Sequence, residues 1–367
     1  MGAGATAAGT AAFRESHAAD VPAAHFRTLG DAIVSSIGLG TYLGEEDDET
    51  DRRYGEAIVW AANLGCNFFD TAINYRAQRS ERVLGRALLA LEREGDLPRE
   101  RFVLCTKGGY VPFDGAVPAN PAAWFHDTYV RPGIVRADDV VGGAHVMTPR
   151  YLEDQLGRSL ANLGVAAVDV YYVHNPETQL GAVPRAEFFA RIRAVFEMLE
   201  RKVAEGRVGC YGVATWHGFR KPPTAPDHLS LEELVRAAEA VAGTGHHLKV
   251  VQLPYNLAMP EAYAARTQRV GGEPATLLEA AARLDVAVVA SASILQGQLA
   301  RPLPEALTQA FPGLATPAQR ALQFVRSTPG VTTALVGMAR RAHVEENLAL
   351  ARVPPSPAGV DSLFERR

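Results

Sequence analysis

Apolar positions along this chain follow two periods in turn. Short, nearly continuous apolar runs alternate with longer stretches in which apolar residues recur every three to four positions. Residues Phe26 to Val34 alternate about Gly30-Asp31 and predict a hairpin. Beyond it, the apolar runs predict strands at Ile37–Thr41, Asn67–Asp70, Phe102–Lys107, Val168–His174, Val208–Ala214, Val250–Leu253, Val286–Ala290 and Thr333–Val336. Helical periodicity falls between them, at Asp51–Leu64, Ser80–Glu94, Pro149–Leu163, Glu187–Glu205, Leu231–Ala242, Ala275–Leu284, Pro317–Ser327 and Ala342–Leu350. Strands alternating with helices imply parallel βα units, and eight of them close a (β/α)8 barrel of the α/β class.

Residues 26–352 therefore read as one barrel domain. The Ala/Gly-rich segment 1–25 lacks apolar periodicity and is expected to be a disordered tail, and 353–367 is expected to be a C-terminal tail. The connection 108–148 after the third strand far exceeds the usual βα loop of ~2–6 residues. On the C-terminal face of a barrel it reads equally as a substrate lid or as a small subdomain packed on its own aromatics. The acidic run Gly44–Glu49 reads as a solvated loop.

Composition narrows the picture further. Nearly half of the 367 residues are hydrophobic, enough for a large core, and a formal charge of -4 without a basic stripe argues against nucleic acid. Cys66, Cys105 and Cys210 lie in or beside apolar strands, as reduced core residues of a cytoplasmic protein would. No apolar run reaches the ~20 residues that span a bilayer, and the N-terminus lacks the basic start and apolar core of a signal peptide. No metal site is expected, and oligomeric state is not legible.

Three predicted strands end in chemically useful residues: Asp70, Lys107 and His174, with Tyr75 a few positions after the first. Each alone has an ordinary explanation. An Asp after a strand is usually a cap or turn former, a Lys an exposed charge, a Tyr a packing residue and a His a strand end. Together on one barrel face they suit carbonyl reduction. A Tyr that gives a proton near neutral pH needs its pKa of about 10 lowered, which a neighbouring Lys does. That Lys needs a carboxylate to hold it in a dry site. A neutral His can hydrogen-bond a carbonyl oxygen as charge develops on it.

With these residues in place the chain resembles the aldo/keto reductases. The resemblance runs from about Phe26 to Leu350 through Gly38-Leu39-Gly40-Thr41, Phe69-Asp70-Thr71-Ala72 with Tyr75, Ser80-Glu81 with Leu84-Gly85, Thr106-Lys107, Val173-His174, Gly212-Val213, Gln252 with Tyr255-Asn256, Gln296-Gly297 and Glu346-Asn347. It implies a catalytic tetrad of Asp70, Tyr75, Lys107 and His174, and a nicotinamide cofactor seated by Gly40, Thr41, Thr215 and Gln252, with Tyr255 stacked on the ring. The pyrophosphate would meet Ser291, Ser293, Leu295, Gln296 and Gly297. The adenosine would meet Gly337, Met338, Arg340, His343, Glu346 and Asn347. Tyr42, Trp124 and Trp216 are the candidate substrate contacts.

Three departures stand out: Ala214-Thr215 where many members have Ser-Asn, Ser291-Ala292-Ser293 where many have Ser-Pro-Leu, and Gly337, Met338 and His343 where Lys, Ser and Arg commonly meet the 2′-phosphate. Thr215 can donate only one hydrogen bond. NADP is favoured over NAD on the strength of Arg340 and Arg341. The expected activity is NAD(P)H-dependent reduction of an aldehyde, ketone or sugar carbonyl, or oxidation in reverse. The alternatives are a redox-neutral epimerase or isomerase that retains its cofactor, a non-catalytic cofactor-binding barrel, and an aldolase with Lys107 as a Schiff-base lysine.

Overall fold

A computed structural model describes residues 4–365. Eight parallel strands close a barrel in sequence order: β1 (Ile37–Gly40), β2 (Phe68–Asp70), β3 (Val103–Gly108), β4 (Val168–His174), β5 (Val208–Ala214), β6 (Leu248–Pro254), β7 (Ala287–Ser291) and β8 (Val331–Gly337). β8 closes on β1 through Ala334↔Ile37 to Gly337↔Gly40. The alternating side chains of each strand feed two apolar clusters. Phe68, Val103, Cys105, Val170, Tyr172, Val250 and Val289 fill the barrel lumen, and the complementary positions pack beneath the surrounding helices.

Local signals placed the helices well where a cap was explicit. Thr148 and Thr316 each cap a helix with Pro in its first turn, and those helices run Pro149–Leu163 and Pro317–Ser327 as expected. The hairpin Phe26–Leu29 with Ala32–Ser35 lies at the floor, opposite the strand ends that carry Asp70, Lys107 and His174.

Both tail expectations are corrected for the described residues. Ala7–Ser16 is a helix whose first turn is capped by Thr6, with the hydroxyl accepting from Gly9 N–H at 2.9 Å. It packs at the barrel floor: Phe13 is 2% exposed and meets Phe26 edge-on at 6.3 Å. A Cβ on Gly9 would stand 2.2 Å from the Glu100 carbonyl oxygen, so the small residues that hid the helix from a periodicity search are what let it pack so closely. Ala5 N–H donates to Asp169 at 2.6 Å, fastening the segment beneath β4. At the other end, Pro357–Phe364 is a helix with Val360 fully buried, tied by the Tyr263 hydroxyl donating to Asp361 at 2.6 Å.

The floor also contains a buried cation without a carboxylate. Arg326, 1% exposed, donates to Ser36, to Gln323, to the carbonyls of Leu350 and Val353, and to His25 Nδ1. His25 must therefore present a lone pair to Arg326 while its Nε2–H donates to the Gly65 carbonyl. Burial first, and Arg326 second, push the His25 pKa down from 6.5 to about 3. Between those two values the unfolded chain binds a proton that the native state refuses. The stability due to neutral His25 is therefore complete above pH 6.5 and is lost as pH falls toward 3. Urea unfolding at stepped pH should show a slope of up to about 1.4 kcal/mol per unit from this group. His25→Gln should flatten it, and parallel curves for the two proteins would refute the assignment.

Candidate active site

The tetrad assembles where three strands end. Asp70 closes β2, Lys107 is next to last in β3, and His174 closes β4. Lys107 is fully buried; its Nζ donates to Asp70 Oδ1 at 2.5 Å and to the Thr71 carbonyl at 2.7 Å. The second Asp70 oxygen accepts from Gln252 Nε2 at 2.8 Å, so this carboxylate joins β3 to β6 across the lumen. The ammonium lies 4.9 Å from the Tyr75 ring centroid.

Burial alone would discharge Lys107, but Asp70 and Tyr75 raise its pKa above the usual 10.5 and keep it cationic. Burial pushes the Tyr75 phenol above 10.0, with Lys107 pulling against it. The simple expectation of a lowered phenol pKa is thus corrected: desolvation outweighs the ammonium. Tyr75 holds its proton at neutral pH, the form a proton donor needs.

His174 is 9% exposed, and its Nδ1 is buried without a hydrogen-bond partner. Burial first, then the charge on Lys107, lowers its pKa well below 6.5 and keeps the ring neutral. An Nδ1 with no acceptor favours the proton on Nε2, leaving an N–H that can serve a carbonyl oxygen. Tyr110 stands edge-on to this ring at 5.2 Å and 89°.

A cleft of about 650 Å³ extends from this cluster to the helix Arg341–Leu348. It is lined by Gly40, Thr41, Tyr42, Thr215, Trp216, Gln252, Ser291, Ser293, Gln296, Gly297, Gly337, His343, Glu346 and Asn347, all expected, together with Asn74, Tyr110 and Asn175. Those three went unassigned, although Asn175 directly follows His174 and Tyr110 was visible among the aromatics of the insertion.

Five expected residues do not line the cleft. Tyr255 is fully buried, bonded to Thr328 at 2.9 Å and stacked on Phe324 at 5.4 Å, so it is a core residue under a helix and not a platform for a ring. Met338 is fully buried in the core and Leu295 half-buried beside the groove. Arg340 is exposed at the start of the helix Arg341–Leu348. Trp124 packs within the insertion, against Phe113 at 5.3 Å and Tyr129 at 5.7 Å. Tyr129 in turn meets Tyr151 of the helix Pro149–Leu163 edge-on at 5.3 Å, so the insertion's aromatics pack against the barrel, and its Tyr110 lines the cleft.

Thr215 faces the cleft with its only hydroxyl hydrogen already committed. Its Oγ1 donates to Glu177 Oε1 at 2.6 Å and accepts from Gly218 N–H at 2.8 Å. The same Glu177 oxygen accepts the backbone N–H groups of Trp216 and His217 at 2.9 and 3.2 Å. Toward any ligand Thr215 is therefore an acceptor only. Gln252 keeps its amide oxygen and one N–H after bonding Asp70.

Another group along the cleft also fits a dinucleotide. Asn347 Oδ1 is buried without a partner at the far end, where an exocyclic amine could donate to it. Between the two ends, Leu295, Gln296 and Gly297 have successive positive φ angles of 47°, 53° and 86°, with the N–H groups of Leu295 and Gly297 already donated to the carbonyls of Ala292 and Ile294. Arg341 is otherwise engaged, lying 3.7 Å over the Trp60 ring and bonded to Glu345 at 2.7 Å.

A closed eight-stranded barrel with an Asp-Lys-Tyr-His cluster at the strand ends and a long groove beside it defines a class of barrel enzyme site. The chain belongs to the Aldo/keto reductase family, whose sequence profile matches residues 36–303. Among curated proteins it is 28% identical over 192 residues to an NADH-specific methylglyoxal reductase of Escherichia coli, covering 50% of this chain and 49% of that one. It is also 28% identical over 199 residues to a 6-dehydroglucose reductase of Novosphingobium aromaticivorans, covering 52% and 51%. The chain thus spans about half the length of the curated relatives it matches. Among solved structures, an aldo/keto reductase from Klebsiella pneumoniae in complex with NADP and acetate superposes with a TM-score of 0.62 at 21% identity, covering 93% and 94% of the chains. The holo form of an aldo-keto reductase from Bacillus halodurans superposes at 0.63 with 19% identity, covering 93% and 95%. Among the described residues, no helix is long and apolar enough to cross a membrane and no cluster of side chains could hold a metal ion.

Proposed function

We propose that this protein is an NAD(P)H-dependent oxidoreductase that reduces a small aldehyde, ketone or sugar carbonyl. The observation that carries the reading is the hydrogen-bonded unit Gln252–Asp70–Lys107 beside Tyr75 and His174, at the mouth of a groove long enough for a dinucleotide. Gln252 and the Thr215 oxygen would hold the carboxamide, and Asn347 the adenine. A bound nicotinamide supplies the hydride. Tyr75 gives its proton to the carbonyl oxygen, Lys107 stabilises the phenolate left behind, and Asp70 fixes Lys107. His174 donates from Nε2 to the same oxygen and aligns the carbonyl. Tyr42 and Trp216, 55% and 42% exposed, with Tyr110 offer ring faces and edges to the substrate.

Arg340, exposed three residues before the cleft-lining His343, is the positive charge that would favour the 2′-phosphate of NADPH. Quenching of protein fluorescence should saturate with NADPH at concentrations at least several-fold below those needed for NADH. Methylglyoxal or 4-nitrobenzaldehyde should then oxidise the bound NADPH. Equal affinities would remove the phosphate argument and leave the chemistry standing. Failure of both cofactors to bind would overturn the reading.

A further inference from the structure

We propose that His145, carried by the long connection after β3, is a positioning residue for the catalytic ring of His174. The proposal rests on the carbonyl-reductase reading of the site. His145 is 1% exposed, and its Nε2 lies 2.7 Å from the backbone carbonyl oxygen of His174. A carbonyl only accepts, so Nε2 carries the proton and donates it there.

Nδ1 must then accept, and it does, from Gln179 Nε2 at 2.8 Å. The Gln179 amide cannot turn over, because its oxygen accepts from Arg191 Nη1 at 2.6 Å and a guanidinium has nothing but donors. A permanent cation thus sets the orientation of the amide, the amide sets the tautomer of His145, and the tautomer determines which group the His174 peptide receives. The direction of every hydrogen bond in this chain follows from Arg191.

The location gives the brace its leverage. The clamped carbonyl belongs to the last residue of β4, where the chain turns. The next residue, Asn175, has a φ of 45°, and its N–H donates to the Ala214 carbonyl at 2.6 Å. Gly109 leaves room for the contact: a Cβ there would lie 2.8 Å from the His174 oxygen and 3.0 Å from His145 Nε2. Tyr110 meets both imidazoles edge-on, His145 at 5.1 Å and His174 at 5.2 Å. Without the donor, a buried carbonyl loses its partner, and the peptide that follows the His174 ring is held by the Asn175 N–H alone, which loosens the ring's backbone anchor. The insertion therefore acts as a splint behind the catalytic ring as well as a wall of the cleft.

His145→Leu removes the donor and fills most of the space, whereas His145→Gln can place an amide N–H near the lost Nε2. With NADPH and 4-nitrobenzaldehyde, His145→Leu should lower kcat by about 10- to 100-fold, the scale of a displacement of about an ångström. NADPH affinity should be unchanged, and His145→Gln should recover most of the loss. Equal kcat values for the two variants, or a loss confined to thermal stability, would overturn the proposal. If His145→Leu does not fold, Arg191→Met frees the Gln179 amide and should give a partial loss of kcat with His145 intact. A nitrogen-15 histidine spectrum of the parent protein provides a readout independent of turnover. His145 should be an Nε2–H tautomer with a ring proton protected from exchange. A parent that shows no turnover sinks the reductase reading alone; an Nδ1–H or freely exchanging His145 sinks the brace alone.

Discussion

Tyr75→Phe is expected to lower kcat by about 10²- to 10⁴-fold, the usual contribution of a positioned general acid, while NADPH affinity stays roughly constant. The substitution removes one oxygen from a ring held between Tyr42 at 5.0 Å and His174 at 6.0 Å, so packing in the cleft survives. What it removes is the only phenol beside Lys107 that faces the cleft: Tyr172 also has Lys107 near its ring, at 5.9 Å, but is fully buried. His174 cannot take over, because burial and Lys107 keep it neutral with a pKa well below 6.5. Single-turnover reduction of the probe aldehyde by the NADPH-loaded variant measures the effect directly. A rate within tenfold of the parent would mean that the proton comes from elsewhere.

Lys107→Met should damage both folding and chemistry, and the two effects can be separated. Removing the ammonium leaves Asp70, 3% exposed, with Gln252 as its remaining donor. Breaking one side of a buried pair costs on the order of 3–5 kcal/mol, because the surviving charge is uncompensated. Asp70→Asn added to Lys107→Met removes that charge and should recover most of the stability, since the Asn oxygen can still accept from Gln252. Turnover should not recover with it, because nothing then stabilises a Tyr75 phenolate. Urea midpoints and single-turnover rates on the same two proteins decide the matter. If stability and activity return together, the lysine is a structural residue only.

The barrel and the meeting of Asp70, Lys107, Tyr75 and His174 were legible because each rests on a local signal. Strand β5 is an uninterrupted apolar run, and Asp70, Lys107 and His174 are strand ends whatever the loops do. The misreadings share a different origin. The helix Ala7–Ser16 has almost no apolar stripe; its stability comes from Gly9 pressed on Glu100 and Phe13 on Phe26, partners far along the chain. Thr6 was the available signal, a cap followed by the alanine pairs Ala7-Ala8 and Ala11-Ala12. Tyr255 was assigned to the cofactor by the family resemblance, yet the turn after β6 carries it outward to Phe324. The hydroxyl of Thr215 is spent on Glu177, a pairing across 38 residues that periodicity cannot show. The same holds for His145, hidden in an insertion whose sequence reveals aromatics but not which of its residues reaches β4.

Under the proposed function, the bridge from Gln252 through Asp70 to Lys107 would make cofactor seat and proton donor parts of one electrostatic circuit. A carboxamide drawing on the Gln252 amide alters the pull on Asp70, hence on Lys107, hence the proton affinity of Tyr75. Thermodynamic reciprocity then fixes a relation between two quantities usually measured apart. The change in cofactor dissociation constant on titrating Tyr75 must equal the change in Tyr75 proton affinity on binding cofactor. Oxidised and reduced nicotinamide differ by a full charge, so each would set its own value. In the proposed reaction, the pH at which the direction reverses would depend partly on a glutamine that never touches the transferred proton.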